Sequence, residues 1–269
     1  MVRCLCQSLV VILGLCLTGR IEAGPFDPAA GQPGSLAVHM SDPAFIGWAT
    51  GWQDYNVGTD VNVQWQTPVK ALGPAKGDSF DIVCLGNGGS IVLTFDRPIA
   101  DGPGWDFAVF ENAFNDTFLE LAYVEVSTNG IDYFRFPNES LTPSPVGAFG
   151  AVDPTNISGL ASKYRQGWGT PFDLSILAGI SPLLNIRWVP FVRIVDIIGD
   201  GTYLDSYGRP IYDPHPTVGS GGFDLDAIGV RYFADIQAIP EPASVVLLII
   251  SLPAIVLRCR RKMAAQRSS

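Results

Sequence analysis

Four aspartates in the last third of the sequence have the residue type and spacing that would bind a hard cation: Asp196, Asp200, Asp224 and Asp226. Asp196 ends the apolar face of the segment FVRIVDI, and Asp224 and Asp226 begin an apolar face in FDLDAIGV. If the two segments are neighbouring antiparallel strands, these carboxylates meet at one edge of a sheet. Burying acids is costly without positive charge, and Ca²⁺ accepts 6–8 oxygen ligands. The pattern predicts a calcium site, with solvated turn aspartates as the alternative.

A second group of residues has the chemistry of sugar binding. Aromatic rings can stack on the apolar faces of sugars, and Trp105 and Trp168 stand beside glycines in predicted loops. Because loops at the ends of a β-sandwich carry function, we expect these two tryptophans to bind a ligand. Trp48, Trp52 and Tyr55 share one face of a predicted helix, which favours packing on the sandwich instead.

Catalytic chemistry has little support in the sequence. His39 and His215 are far apart and have no partner motif. Paired carboxylates are the machinery of glycoside hydrolysis, and Glu111, Glu120 and Glu125 are available for it. We therefore expect a non-catalytic protein and keep an extracellular glycan-active hydrolase as the alternative.

The elements that must position these residues are mostly strands. Alternating apolar residues predict strands at 80–85, 90–95, 122–136, 191–197 and 223–233, and GNGG and Asn-Gly predict hairpin turns. The segment SDPAFIGWATGWQDY predicts a short helix, and PFDLSILAG predicts one or two helical turns. The sequence thus predicts one all-β domain over 24–237, a jelly-roll-like antiparallel sandwich with one or two short helices.

Three of these segments resemble known domains. YVEVSTNGIDYFRF is similar to the hairpin of discoidin-type galactose-binding domains, and FVRIVDI is similar to a later strand of theirs. GFDLDAIGV is similar to the closing strand of calcium-binding carbohydrate-binding modules, which place an aspartate where Asp226 stands. The resemblance implies a galactose-binding-like sandwich that binds carbohydrate and calcium. The segment 137–186 has no counterpart in that resemblance.

The net charge limits the expected binding partners, and the cysteine count limits how the domain can be stabilised. Residues 24–239 hold 24 of the 26 acidic residues but only 10 of the 17 lysines and arginines, so this span has a net charge of −14. A domain this acidic is a poor partner for nucleic acid or anionic lipid. Cys84 is the one cysteine in that span, so the domain has no internal disulfide and its stability must come from the core.

The N-terminal segment indicates export. Arg3 precedes an apolar stretch, and Ile21 and Ala23 suit the −3 and −1 positions of a signal peptidase site. We expect a signal peptide over residues 1–23 with cleavage after Ala23.

The C-terminal segment indicates a contact with the membrane. Pro240, Glu241 and Pro242 precede a fifteen-residue apolar run, 243–257, which is followed by a basic cluster: Arg258, Arg260, Arg261 and Lys262. The run is short for a bilayer, which needs about 20 apolar residues, and Pro253 would kink it. The arrangement resembles the PEP-CTERM sorting signal of exported bacterial proteins. The resemblance implies that 238–262 is a sorting segment with a short transmembrane helix, followed by a tail over 263–269.

That resemblance also implies partners. A membrane-embedded exosortase would recognise the segment, hold the protein transiently at the inner membrane and release it to the cell surface or matrix, where exopolysaccharide is the expected ligand. The alternative is that the helix is retained as a membrane anchor.

Removal of both ends can be checked by intact mass. We expect protein recovered from an exporting host to lack residues 1–23 and the part of the chain after about residue 242. Protein that retains the arginine-rich tail would instead support the anchor.

Overall fold

The computed structural model describes residues 23–235. The predicted signal helix and the sorting residues Pro240, Glu241, Pro242, Arg258, Arg260 and Arg261 lie outside the described residues, and Ala23 is the first residue described. Within residues 23–235, no helix has the length and apolar character to cross a membrane.

Residues 23–235 form fifteen strands, connected by turns and four short 3₁₀ helices. The 3₁₀ helices span Val63–Trp65, Pro68–Ala71, Pro154–Asn156 and Leu174–Leu177. The strands are β1 (Val38–His39), β2 (Gly47–Trp48), β3 (Gly51–Asn56), β4 (Val83–Cys84), β5 (Ser90–Ile99), β6 (Phe107–Glu111), β7 (Ala122–Ser127), β8 (Phe134–Arg135), β9 (Glu139–Ser140), β10 (Ile157–Ser158), β11 (Trp168–Phe172), β12 (Val189–Asp196), β13 (Asp200–Leu204), β14 (Pro210–Tyr212) and β15 (Asp224–Val230).

Two antiparallel sheets face each other, which confirms the predicted all-β sandwich. One sheet has the order β1-β11-β6-β15-β2, with β4 also paired to β15, and the other has the order β3-β5-β12-β7-β8. Two small ribbons, β9-β10 and β13-β14, lie outside these sheets. Strands that are far apart in the chain are neighbours in both sheets, as a jelly-roll-like connectivity requires.

The main core lies between the two sheets. It is formed by the inward-facing apolar residues of the central strands, among them Ile91, Leu93, Val124, Ile194 and Ile228. In β12 the alternation of Val192, Ile194 and Asp196 places all three side chains in the interior, as the sequence predicts.

One predicted hairpin is confirmed and another is wrong. β7 pairs with β8 through Glu125 and Arg135, and the Asn129-Gly130 turn lies in the loop between them. The GNGG turn also forms, because the N–H of Gly89 donates to the carbonyl of Gly86 at 2.8 Å. Its flanking strands belong to different sheets, however, since β4 pairs with β15 whereas β5 pairs with β3 and β12. The turn therefore connects the two layers of the sandwich.

The helix predicted over SDPAFIGWATGWQDY is wrong. β2 and β3 form there, one at the edge of each sheet. Gly47 and Gly51 lower the helical propensity of the segment, and the two sheet edges offer pairing that a short helix could not match. The packing role predicted for the aromatic residues partly holds, because Trp48 contacts Phe110 on the outer face of the first sheet, with ring centroids 5.7 Å apart.

The first part of the segment 137–186 covers the outer face of the second sheet, whereas its later part supplies β11 to the first sheet. All residues of β7 are buried, although only one of its faces contacts the main core. A second apolar cluster on its other face joins Tyr123 to Val152, Ile157 and Leu160 from this segment. The predicted helical turn in PFDLSILAG also forms, at Leu174–Leu177.

Asp196 connects the two sheets at one end of the sandwich. Its Oδ2 accepts from the N–H of Gly88, just before β5, and its Oδ1 accepts from the N–H of Phe223, just before β15, each at 2.7 Å. Gly222 has a φ of +75°, and a Cβ there would lie 2.5 Å from Asp196 Oδ1, so glycine is needed for this approach. The Asp196 side chain is fully buried.

We expect Asp196→Ala to lower the free energy of unfolding by about 2–5 kcal/mol, because it leaves two buried N–H groups without acceptors. Asp200→Ala is the matched control, since Asp200 is exposed and accepts only within its own turn; it should cost less than about 1 kcal/mol. Urea unfolding measures both. Equal effects of the two variants would contradict the role given to Asp196.

Candidate functional site

A cavity of about 450 Å³ lies at the Asp196 end of the sandwich. It is formed where strands of both sheets begin or end: Asn112 follows β6, Glu120 precedes β7 and Asp224 begins β15. The volume is in the range of small-molecule binding sites.

The walls of the cavity are aromatic. The rings of Trp65 and Phe80 stack with centroids 6.3 Å apart, and those of Phe114 and Phe118 stack at 4.8 Å. Phe149 stacks in turn on Phe118 at 6.3 Å. Three of these rings, Phe80, Phe114 and Phe149, are more than half exposed, Phe149 by 90%. Exposed aromatic residues grouped around a cavity indicate a binding surface.

Local hydrogen bonds hold one of these ring pairs in place. The side chain of Asn115 accepts from the N–H groups of Thr117 and Phe118 at 2.8 and 2.7 Å. This turn brings Phe118 back over Phe114.

Two buried carboxylates line the same cavity. Glu120 and Asp224 are 6% and 4% exposed. Asp224 Oδ2 accepts from the Asn112 amide at 3.0 Å. Among the described residues, no group donates to Asp224 Oδ1 or to Glu120 Oε1 in good hydrogen-bond geometry, although the Cys84 thiol and the Thr217 hydroxyl are near enough to lower the pKa values of Asp224 and Glu120.

These two groups belong to a set of five buried acids that also includes Glu111, Asp196 and Asp213. Burial, with further contributions from Asp224, Glu111 and Asp213, raises the pKa of Glu120 well above its usual value. Burial raises the pKa of Asp224 to about 7, with a further contribution from the charge of Asp196. Hydrogen bonds from Cys84 and Asn112 oppose this shift. Within residues 23–235, no lysine, arginine or histidine forms a salt bridge with any of these five acids.

The structure does not bring the four predicted calcium ligands into one shell. β12 and β15 lie in different sheets, so the predicted pairing of their strands is wrong. A bulge between Leu225 and Ala227 also shifts the alternation of β15, so Leu225 faces the core together with Ile228 and Val230. Asp196 and Asp224 do lie at the same end of the sandwich, near enough for one to raise the pKa of the other.

The remaining two predicted ligands are occupied elsewhere. Both oxygens of Asp226 accept from the N–H of Lys76, and Oδ2 also accepts from the N–H of Gly77 at 2.9 Å. Asp200 accepts from Thr202 at the exposed start of β13. These donor sets do not fit the calcium site that the resemblance implies at Asp226, and calcium binding itself stays a prediction.

A different group of three acids does lie together. One oxygen each of Asp101, Asp106 and Asp173 fall within 4.8 Å of one another at the opposite end of the sandwich. Asp106 already accepts from the N–H groups of Gly102 and Leu174, at 2.8 and 2.7 Å. Its carboxylate therefore fixes two loops in place.

The two predicted sugar-binding tryptophans lie apart from the aromatic cavity. Trp105 lines a second cavity, of about 400 Å³, at the opposite end of β6, and its ring packs against Phe45 and Arg231. Trp168 is in strand β11, so its predicted loop position is wrong, and its ring meets the edge of His39 at 4.8 Å. The structure thus separates Trp105 from Trp168 as well as from Glu120 and Asp224.

Of the three glutamates available for acid–base chemistry, one lies in the aromatic cavity. Glu125 forms salt bridges with Arg135 and Arg193 on the second sheet. Glu111 is buried and accepts from the N–H of Ala113 and the hydroxyl of Ser162. Glu120 alone of the three lines the cavity.

Comparison with known proteins gives no family assignment, since no protein-family model and no curated protein matches the sequence.

Proposed function

We propose that the protein is an exported, non-catalytic cell-surface or matrix protein whose aromatic cavity binds polysaccharide. The observation that supports this most is the combination of stacked, exposed rings with carboxylates in one cavity. Rings pack against the apolar faces of sugars, and carboxylate oxygens accept hydrogen bonds from sugar hydroxyls.

Export is the second part of the proposal, and it rests on the sequence of the two ends. A signal peptide cleaved after Ala23 and a PEP-CTERM-like segment around Pro240-Glu241-Pro242 would deliver the domain to the cell surface through an exosortase. The strong negative charge makes the domain a poor partner for nucleic acid, which agrees with an exported protein.

A glycan-active hydrolase is the second candidate function. It is favoured by the two carboxylates of Glu120 and Asp224, since a carboxyl group with a raised pKa is what a general acid needs. Binding is preferred because both groups have raised pKa values. Inverting and retaining hydrolases need one partner that stays ionised.

We expect Trp65→Ala and Phe118→Ala to weaken binding of the full-length protein to a bacterial polysaccharide by roughly 30-fold each, about 2 kcal/mol, as for an aromatic anchor of an interface. Trp105→Ala, at the other end of the sandwich, is the matched control and should bind as the wild type does. A panel of immobilised polysaccharides identifies the ligand, and isothermal titration calorimetry measures the affinity.

Two results would contradict the proposal. Loss of binding in Trp105→Ala alone would move the site to the second cavity. Release of reducing sugar by the wild type, abolished in Glu120→Gln, would establish the hydrolase.

A further inference from the structure

We propose that the aromatic cavity recognises the protonated amine of an amino sugar, so that the polysaccharide bound there carries free amino groups. This inference rests on the proposed polysaccharide binding and names the chemical class of the sugar.

The first argument is the state of two carboxylate oxygens. Glu120 Oε1 and Asp224 Oδ1 have no donor in good hydrogen-bond geometry among the described residues, although both side chains are more than nine-tenths buried and line the cavity. The Thr217 hydroxyl and the Cys84 thiol lie close enough to lower the pKa values of Glu120 and Asp224, but neither donates to these two oxygens in that geometry. A buried acceptor without a donor destabilises the folded protein. A donor supplied by a ligand would remove that cost.

Two neighbouring buried acids do have backbone donors, unlike these two oxygens. Asp196 accepts from two backbone N–H groups, and Asp213 accepts from the N–H of Leu121, the residue next to Glu120. The bond to Asp213 fixes the backbone that carries Glu120. The two cavity acids are therefore held in position, and each has one buried oxygen without a donor.

The second argument is charge. The groups that act on Glu120 through their charge are Asp224, Glu111 and Asp213, and the one that acts on Asp224 is Asp196. Buried carboxylates of one sign repel one another unless a cation or a proton compensates them. An ammonium group brings three donors and one positive charge to this place.

The third argument is the wall of the cavity. An ammonium group is attracted to the face of an aromatic ring within about 6 Å. The cavity that Glu120 and Asp224 line is also lined by five aromatic rings, those of Trp65, Phe80, Phe114, Phe118 and Phe149. The same rings would pack on the apolar face of the sugar that carries the amine. A neutral sugar would use the rings but leave the acids without a counter-charge.

An amine fits this cavity better than a metal ion. Glu120, Asp224 and Glu111 do not form a group of three acids with ligand atoms within 4.8 Å of one another, unlike the group at Asp106. Calcium needs 6–8 oxygens at 2.3–2.6 Å, whereas much of the wall of this cavity is aromatic. Two acids in a cavity lined by rings suit a larger organic cation.

The test compares two ligands that differ only in that amine. Full-length protein in mild detergent is titrated calorimetrically at pH 6 with a glucosamine tetrasaccharide and with its N-acetylated counterpart. We expect the free amine form to bind at least about tenfold more tightly, with the preference shrinking as salt rises. The double variant Glu120→Gln, Asp224→Asn should lose the preference.

Asp96→Asn is the matched control, because it removes one negative charge from an exposed position on β5. It should keep the full preference of the wild type. If the double variant fails to fold, as a thermal melt would show, the wild-type comparison and its salt dependence still decide the question.

The outcomes separate this inference from the proposed function. Equal binding of the two tetrasaccharides, or tighter binding of the acetylated one, would overturn the amine inference and leave polysaccharide binding in place. Binding of neither, with no binding to any polysaccharide of the panel, would overturn both.

Discussion

The structure depends on buried carboxylates that accept backbone N–H groups at the ends of strands. Asp106, Asp196, Asp213 and Asp226 each do this, and Asp196 connects loops that lead into different sheets. A buried N–H without a partner is costly, and these carboxylates provide acceptors for loop N–H groups. The abundance of aspartate in the sequence therefore has a structural cause, and most of these acids are unavailable to a ligand.

Glu120 and Asp224 depart from this rule, and the departure is what gives the aromatic cavity its chemistry. Each keeps an oxygen without a donor in the described part of the chain. Burial and the neighbouring acids raise the pKa values of both groups, so without a ligand each is protonated more readily than the same group in water. A cation that binds between them would favour the ionised form instead, and binding would be linked to the release of protons.

The sequence predicts the fold class and part of the site. Apolar alternation correctly placed Val192, Ile194 and Asp196 on one interior face, and the Asn-Gly turn marked the β7-β8 hairpin. It failed in β15, where a bulge after Leu225 breaks the period of two, and a bulge has no signature in residue type alone. The aromatic cavity was missed because its rings come from loops that converge only in three dimensions. Phenylalanines in turn-rich segments, such as Phe149, are a signal in the sequence that could have indicated an exposed apolar surface.

The most direct test of the account is the number of protons that the protein releases when the amino sugar binds. At pH 5 the amines of a glucosamine tetrasaccharide are almost fully protonated and keep their N–H donors, so its calorimetric binding heat in buffers of different ionisation enthalpy reports proton release by the protein. The account predicts release of protons, because the cation lowers raised pKa values of Glu120 and Asp224, and no release in the Glu120→Gln, Asp224→Asn variant. Binding without any proton release in the wild type would contradict it.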